Sequence, residues 1–381
     1  MAPKRNYKPN NIIIMKVESI SIQNFKLFDQ EIKIDFKNKV LNEVSDQFLI
    51  LGDNGTGKTT VLQAIALPLA LATRQIRRVT EFDWIGFLPQ RYQRWGTPRI
   101  ELDISFTDEE LEITQTLAHQ WHKAQPNLPF VEPGNSRLVH LVLDGEHCSA
   151  GTASDYCQFA GRYYGIQLLK TDPSVRSLFS RLPGLFWFDQ FRHAGYTSPA
   201  PTTNGQPSED RMLDAYHSRI SFDFGVSKLR KYLNGWRLAQ LTHTYTVDYL
   251  LELENLYKKI FPGRSFAGLE AMPGVDTPTP EDYYFLISDG NRTYDITEMS
   301  GGEQSVFPIL YEFVQKQIAY SVVLIDEIDM HLHPPYAQFL VTQLPKICST
   351  CQFIFTTHSS AVNSIMGEAE TYRLPGGLLC L

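Results

Sequence analysis

Phe48-Leu49-Ile50-Leu51-Gly52-Asp53-Asn54-Gly55-Thr56-Gly57-Lys58-Thr59 is the stretch that decides the fold. Its first four residues form an unbroken apolar run, as expected for a parallel strand buried on both faces. The run ends at Gly52, where the pattern G-x-x-x-x-G-K-[ST] begins. Gly52, Gly55 and Gly57 permit a tight turn with backbone N–H groups aimed inward. A helix predicted from about Lys58 to Ile76 directs its positive end to the same point, where an anion would lie. In such a turn Lys58 reaches the β- and γ-phosphates of a nucleotide and Thr59 ligates Mg2+, while Asn54, Gly55, Gly57 and Thr60 belong to the cradle. ATP and Mg2+ are the ligands these residue types imply.

Working outward, a second apolar run, Val322 to Ile325, ends in Asp326-Glu327. A carboxylate at a strand end can hold Mg2+ through water, and its neighbour can polarise an attacking water as a general base. These roles fall to Asp326 and Glu327. Asp329, His331 and His333 follow closely. They are readable as metal ligands, but Pro334-Pro335 fixes the chain there and favours a structural or interface turn. Ser300-Gly301-Gly302-Glu303-Gln304 precedes the carboxylate strand. Ser300 is a sensible helix N-cap and Glu303 completes a capping box; the same geometry presents N–H groups to an anion. Thr356-Thr357-His358 follows the apolar run Phe353 to Phe355. Phe186-Trp187-Phe188-Asp189-Gln190 reads as a buried strand ending in a glutamine, with Gln90 and Gln93 as rivals for the same role.

The 381 residues are 43% hydrophobic and 20% charged, ordinary for a globular protein, and suffice for one large or two ordinary domains. The longest apolar stretch, Ala64 to Ala72, contains Pro68 and is too short to span a bilayer, which excludes a membrane-embedded transporter for this chain. Met1 to Asn10 carries three basic residues, but only Ile12 to Ile14 follows as an apolar run, too short for a secretory signal. Residues 1–14 therefore read as a mobile tail, with Met15 as an alternative start. A net charge of −7 does not advertise nucleic-acid binding. Five cysteines, an odd number, suit reduced thiols in the cytoplasm. Cys348 and Cys351 have metal-ligand spacing, but no second pair accompanies them and plain loop thiols are the preferred reading over zinc or redox chemistry.

Alternating patterns mark strands at Ile20 and Ile22, at Ile32, Ile34 and Phe36, and from Ile100 to Phe106. Thr114 to Asp144 reads as a helix and a strand. His193 to Asp210 is loop-like, and Met212 to Ile260 has helical spacing that Pro262-Gly263 ends. Four regions result: the tail 1–14, a first lobe 15–192 with the phosphate loop, a linker and helical lobe 193–279, and a second lobe 280–381.

Ser300 to Gln304 resembles the signature motif of ATP-binding cassette (ABC) ATPases, as an SGGE variant of SGGQ, and His358 resembles their switch histidine. Val17-Glu18-Ser19-Ile20-Ser21-Ile22-Gln23-Asn24-Phe25-Lys26 resembles the opening strand of RecF, SMC and OLD-type heads. Asp326 to Pro334 is similar to the DE-x-x-x-HLHP pattern of bacterial RecF/OLD-like AAA family ATPases, which include ATPase subunits of anti-phage systems such as Septu and the retrons. The resemblance spans Val17 to His358. It implies an α/β fold, an ABC-type ATPase head in which a mixed parallel sheet with the phosphate loop joins an antiparallel β subdomain, with an inserted helical lobe. It also implies that Ser300, Gly301 and Gly302 cap the γ-phosphate held by a second subunit, that His358 contacts that phosphate, that Gln190 couples Mg2+ to the middle lobe and that Lys26 helps bind nucleotide. The expected assembly is a homodimer closed around ATP.

Two departures shape the functional expectation. His333 stands where a transporter cassette carries Asp, which argues against that class. The chain ends soon after His358, leaving no room for the Toprim domain of OLD nucleases, so nuclease activity is expected in a separate effector partner. The expected function is an ATP-hydrolysing switch in anti-phage defence. A RecF-like clamp that binds DNA directly, and an ATP-dependent scaffold with little turnover, are the alternatives.

Overall fold

The computed structural model describes residues 14–190, 222–243, 245 and 247–376. The expected tail up to residue 13, the loop 193–210 and the beginning of the helical run at Met212 lie outside the described residues.

The chain opens with β1 (Lys16–Gln23), β2 (Ile32–Asp35) and β3 (Gln47–Leu51), then α1 (Lys58–Ala72). Next come β4 (Arg99–Ser105), α2 (Asp108–Ala124), β5 (Leu138–Asp144), β6 (His147–Ala150), α3 (Ala153–Cys157), α4 (Gly161–Leu168) and β7 (Gly184–Phe188). The helices α5 (Phe222–Thr242) and α6 (Tyr249–Ile260) precede β8 (Ser265–Ala271), β9 (Tyr283–Ser288) and β10 (Thr293–Asp295). The last part holds α7 (Gly301–Gln315), β11 (Ser321–Ile325), α8 (Pro334–Ile347), β12 (Cys351–Thr357), α9 (Ser360–Asn363) and β13 (Thr371–Arg373).

These strands make a five-stranded parallel sheet in the order β13-β3-β12-β11-β7, and a five-stranded antiparallel sheet in the order β2-β1-β4-β5-β6. This is the expected mixture of a parallel sheet bearing the phosphate loop with an antiparallel β subdomain. Every residue of α1 except Thr59 is buried. The helix packs with Phe48 and Ile50 of β3 and Leu324 of β11 on one side and with Ile20, Leu102 and Leu141 of the antiparallel sheet on the other. A helix enclosed on all sides needs no polar face, which is why Ala64 to Ala72 reads as an uninterrupted apolar run.

The opposite face of the parallel sheet follows from strand alternation. Leu49, Leu51, Val323, Ile325, Phe353 and Phe355 point there, into a core shared with α7 and α8 and with Leu229, Leu233, Leu250, Leu253 and Tyr257 of α5 and α6. The buried face of the middle helices is thus continuous with the core over the parallel sheet. A third sheet, β10-β9-β8, is antiparallel. The boundary placed at residues 279 and 280 falls between β8 and its partner β9, so a sheet crosses it. A register shift between Phe266 and Gly268 interrupts the alternation of β8, which hides the strand from a period-two reading.

A buried side chain helps tie the two large sheets together. Gln352 on β12 is fully buried; its amide accepts from the Val17 N–H at 2.8 Å and donates to Val17 O at 2.9 Å and Ser45 O at 3.3 Å. The register of β1 against β4 shifts between Val17 and Ser19. This bulge lets both Val17 and Ile20 face the core although they are three residues apart.

Candidate functional site

The C-terminal ends of β3, β11 and β12 lie side by side, because β12 pairs with β3 and β11 in parallel. The three segments that leave these ends are the phosphate loop, Asp326-Glu327 and Thr357-His358. Lys58, at the first position of α1, is buried; its Nζ donates to Gly52 O at 2.9 Å and Asp53 O at 3.2 Å and lies 3.2 Å from Glu327 Oε1. The other Glu327 oxygen is 2.9 Å from His358 Nδ1. Thr59 Oγ1 donates to Asp326 Oδ2 at 2.7 Å. Of the residues singled out for this chemistry, the chain therefore brings Lys58, Thr59, Asp326, Glu327 and His358 together.

Backbone conformation supports the same spot. Gly55 and Gly57 have φ of 82° and 102°, the left-handed region that glycine enters without steric cost. A Cβ at Gly57 would also fall 2.8 Å from Phe28 Cζ. Asn54 and Gly55 are exposed at the tip of the loop, and Thr60 is buried behind it. Glu327 has φ of 44°, an unusual conformation for a residue with a side chain. It is held there by hydrogen bonds from its N–H to Thr356 Oγ1 at 2.8 Å and from the Ile328 N–H to Thr356 O at 3.0 Å. Thr356 Oγ1 in turn donates to Asp326 Oδ1 at 2.6 Å.

Phe25 and Phe28 exchange backbone hydrogen bonds across a tight turn with Lys26 at φ 51°. Lys26 Nζ donates to Gln63 Oε1 at 2.6 Å and Gly86 O at 2.8 Å, and Phe28 covers Gly57. Burial pulls the Lys26 ammonium below its ordinary pKa, while the Asp326 carboxylate pulls it back up. Lys26 thus stands within electrostatic reach of the cluster. Gln190 lies two residues beyond β7, whose last residue, Phe188, pairs with Ile325 immediately before Asp326. Of its rivals, Gln90 is exposed, and Gln93 donates to Tyr92 OH at 2.9 Å.

The signature-like residues sit elsewhere. Ser300 caps α7, and both it and Gly301 are exposed. A Cβ at Gly301 would meet His331 Cβ at 3.9 Å, and one at Gly302 would meet Leu332 Cδ2 at 3.4 Å, so this helix end rests against the turn that follows Asp326-Glu327. In that turn Thr357 Oγ1 donates to Asp329, His331 has φ of 61°, and His333 is the N-cap residue of α8 ahead of Pro334. Among the described residues no group of three or more His, Cys, Asp or Glu side chains could hold a metal ion. Cys348 and Cys351 are buried free thiols whose sulfur atoms lie 2.7 Å apart.

Sequence reasoning missed Thr356, Phe28 and Gln63. Thr356 and Thr357 end the apolar run of β12 in two buried hydroxyls, a signal that was open to view. Nothing local distinguishes Phe28 or Gln63.

Comparison with known proteins adds the family. Residues 15–125 match a family model described as "AAA ATPase domain", and residues 179–363 match "AAA domain, putative AbiEii toxin, Type IV TA system". The Retron Vc95 probable ATPase of Vibrio cholerae is 32% identical, over 93% of this chain and 74% of its own length. The chain belongs to the AAA ATPase family of the retron probable ATPases. Within the family, the Retron Ec83 probable ATPase of Escherichia coli is 27% identical over 95% of this chain and 72% of its own. The Septu protein PtuA of Bacillus mycoides is 22% identical, over 90% of this chain but only 38% of its own length. Among solved structures, an Smc head bound to the C-winged helix domain of ScpA aligns over 92% of both chains at 14% identity, with a TM-score of 0.46.

Proposed function

We propose that this ATPase is a switch that binds ATP and Mg2+ on one chain, closes into a homodimer, and through hydrolysis controls a separate effector, a nuclease, in anti-phage defence. The observation that carries the reading is a division within the chain. Lys58, Thr59, Asp326, Glu327 and His358 converge through hydrogen bonds and ion pairs, whereas the anion-binding end of α7 is exposed and its neighbours are Glu303, His331 and Leu332.

The residues fit the nucleotide and metal. The glycine cradle is closed to a Cβ at Gly57, and an ammonium, a hydroxyl and a carboxylate meet at its mouth. Thr59 and Asp326, with Gln190, would hold Mg2+, which when bound neutralises charge developing between the β- and γ-phosphates. Lys58 neutralises phosphate charge from inside the loop. Glu327 takes the proton of the attacking water, and His358, bonded to it through Nδ1, orients its carboxylate. Asn54, Gly55, Gly57 and Thr60 line the cradle, and Lys26 adds positive charge at its edge. Ser300, Gly301 and Gly302 of the second copy close over the γ-phosphate with helix N–H groups. No described helix is long and apolar enough to cross a membrane. The likeness to retron and Septu proteins supports the defence setting.

Sedimentation of Glu327→Gln with ATP and Mg2+ tests the reading. A dimer that forms with ATP and disappears without it is expected. A protein that stays monomeric at every concentration, while wild type hydrolyses ATP normally, would overturn it.

A further inference from the structure

Glu303, the residue that makes this signature SGGE rather than SGGQ, is almost fully buried yet surrounded by donors. Its Oε2 accepts from the Ser300 N–H at 3.0 Å and from Ser300 Oγ at 2.7 Å. Its Oε1 accepts from Tyr257 OH at 2.6 Å, Tyr294 OH at 2.8 Å and Arg264 Nε at 3.1 Å. Tyr257 belongs to α6, Arg264 to the turn between α6 and β8, and Tyr294 to β10. One carboxylate therefore joins the exposed end of α7 to the helical lobe and to the small antiparallel sheet.

The charge has a consequence for an incoming phosphate. Burial raises the Glu303 pKa, but hydrogen bonds from Tyr257, Ser300 and Tyr294 outweigh it and hold the carboxyl at about 2. Glu303 is thus an anion in the first turn of α7, bonded to the Ser300 N–H and close to those of Gly301 and Gly302. Alone, it would cancel much of the positive potential that makes a helix N-terminus attractive to phosphate. Arg264 is the cation that faces it. Asp289, which Arg264 also influences, has its own ion pair with Arg292 at 3.3 Å. The Ser300 hydroxyl is committed as well, donating to Glu303 while accepting from the Glu303 N–H at 3.4 Å. The Ser300 N–H is held by Glu303 too, so the Gly301 and Gly302 N–H groups and their net field are left as the means of capture.

We propose that Arg264 is a positioning residue for phosphate capture between two copies: by neutralising Glu303 it keeps the α7 end attractive to the partner's nucleotide, while Tyr257 and Tyr294, which share Glu303 Oε1 with it, tie that attraction to the placement of α6 and β10. The proposal rests on the reading of Ser300, Gly301 and Gly302 given above.

The test measures ATP-dependent dimerisation by sedimentation in the Glu327→Gln background, and nucleotide affinity of the monomer with a fluorescent ATP analogue. Arg264→Gln should weaken the ATP-bound dimer at least tenfold, leaving monomer affinity within about twofold. Adding Glu303→Gln to Arg264→Gln should recover at least fivefold of that loss, because the uncompensated charge is gone. Arg264→Lys should retain most of the dimer. The Arg264→Gln defect should narrow as NaCl rises from 50 to 500 mM, since salt screens a field effect and leaves a packing defect unchanged. Normal dimerisation by Arg264→Gln, or a double variant no better than the single one, overturns the proposal. Ser300→Arg keeps the two readings apart. If it dimerises normally in that background, and hydrolyses ATP normally with Glu327 in place, the composite site itself is wrong; if it is blocked while Arg264→Gln is normal, only the role of Arg264 falls.

Discussion

At the strand ends that carry Lys58, Asp326 and His358, polar side chains bond to one another: Lys58 and His358 to Glu327, Thr59 and Thr356 to Asp326. At the start of α7 the polar side chains stand behind the helix end, and its first residues are left at the surface. The first region suits a ligand that exchanges one set of partners for another, since each group there offers charge or a hydroxyl to a phosphate or cation. The second suits a ligand that arrives from outside, since its geometry is fixed before any contact. Two helix ends, to each of which the proposed function gives a phosphate, thus differ in whether they respond or merely present.

The most direct way to break this contrast is a pair of variants. Lys58→Ala should weaken nucleotide binding by about a thousandfold, because it removes the buried cation of the cradle. Ser300→Arg should leave binding to the monomer unchanged and abolish phosphate release. Calorimetry and a phosphate-release assay read the two, and equal binding losses in both variants would erase the distinction.

Acid unfolding sharpens the backing role of Glu303. Its pKa is depressed in the folded chain, so its contribution is present above the ordinary carboxylate value of 4.5 and fades as pH falls towards about 2. Between those limits wild type should lose about 2–3 kcal/mol more stability than Glu303→Gln, measured by denaturant titration at a series of pH values. Identical pH profiles would show that the carboxylate is not held by its donors.

Thr356→Val removes the hydroxyl that bonds Asp326 and the Glu327 N–H. About a tenfold drop in turnover is expected, with ATP affinity little changed, in steady-state kinetics. The smallest effect belongs to Tyr257→Phe, which deletes one of several donors to Glu303. It should cost about 1 kcal/mol in thermal or denaturant unfolding.

What could be read in advance follows the same divide. The phosphate loop and the Asp326-Glu327 pair were legible because each terminates an unbroken apolar strand, and the strand end fixes where the polar group emerges. Ser300 and Glu303 were legible as a capping box because helix N-caps are local. The partners of Glu303 were not, since Tyr257 is 46 residues away and arrives from another lobe. Thr59 and Asp326 are separated by 267 residues, so their bond depends on sheet order, which no pattern near either residue encodes. The strand β8 was lost for a different reason: a bulge at Phe266 to Gly268 breaks its alternation, and the sheet it builds crosses the boundary drawn at 279 and 280.

Gln352 has a mechanical implication. It clamps the root of β12 to the root of β1, while His358 and Lys26 extend from the far tips of the same two strands. The strands resemble two tines of a fork joined at the handle, so the gap between their tips would be set by bending along each strand more than by sliding at the base. A nucleotide touching both tips would then work against sheet stiffness, and the side-chain amide at the handle would keep that strain from dissipating into the join between the sheets.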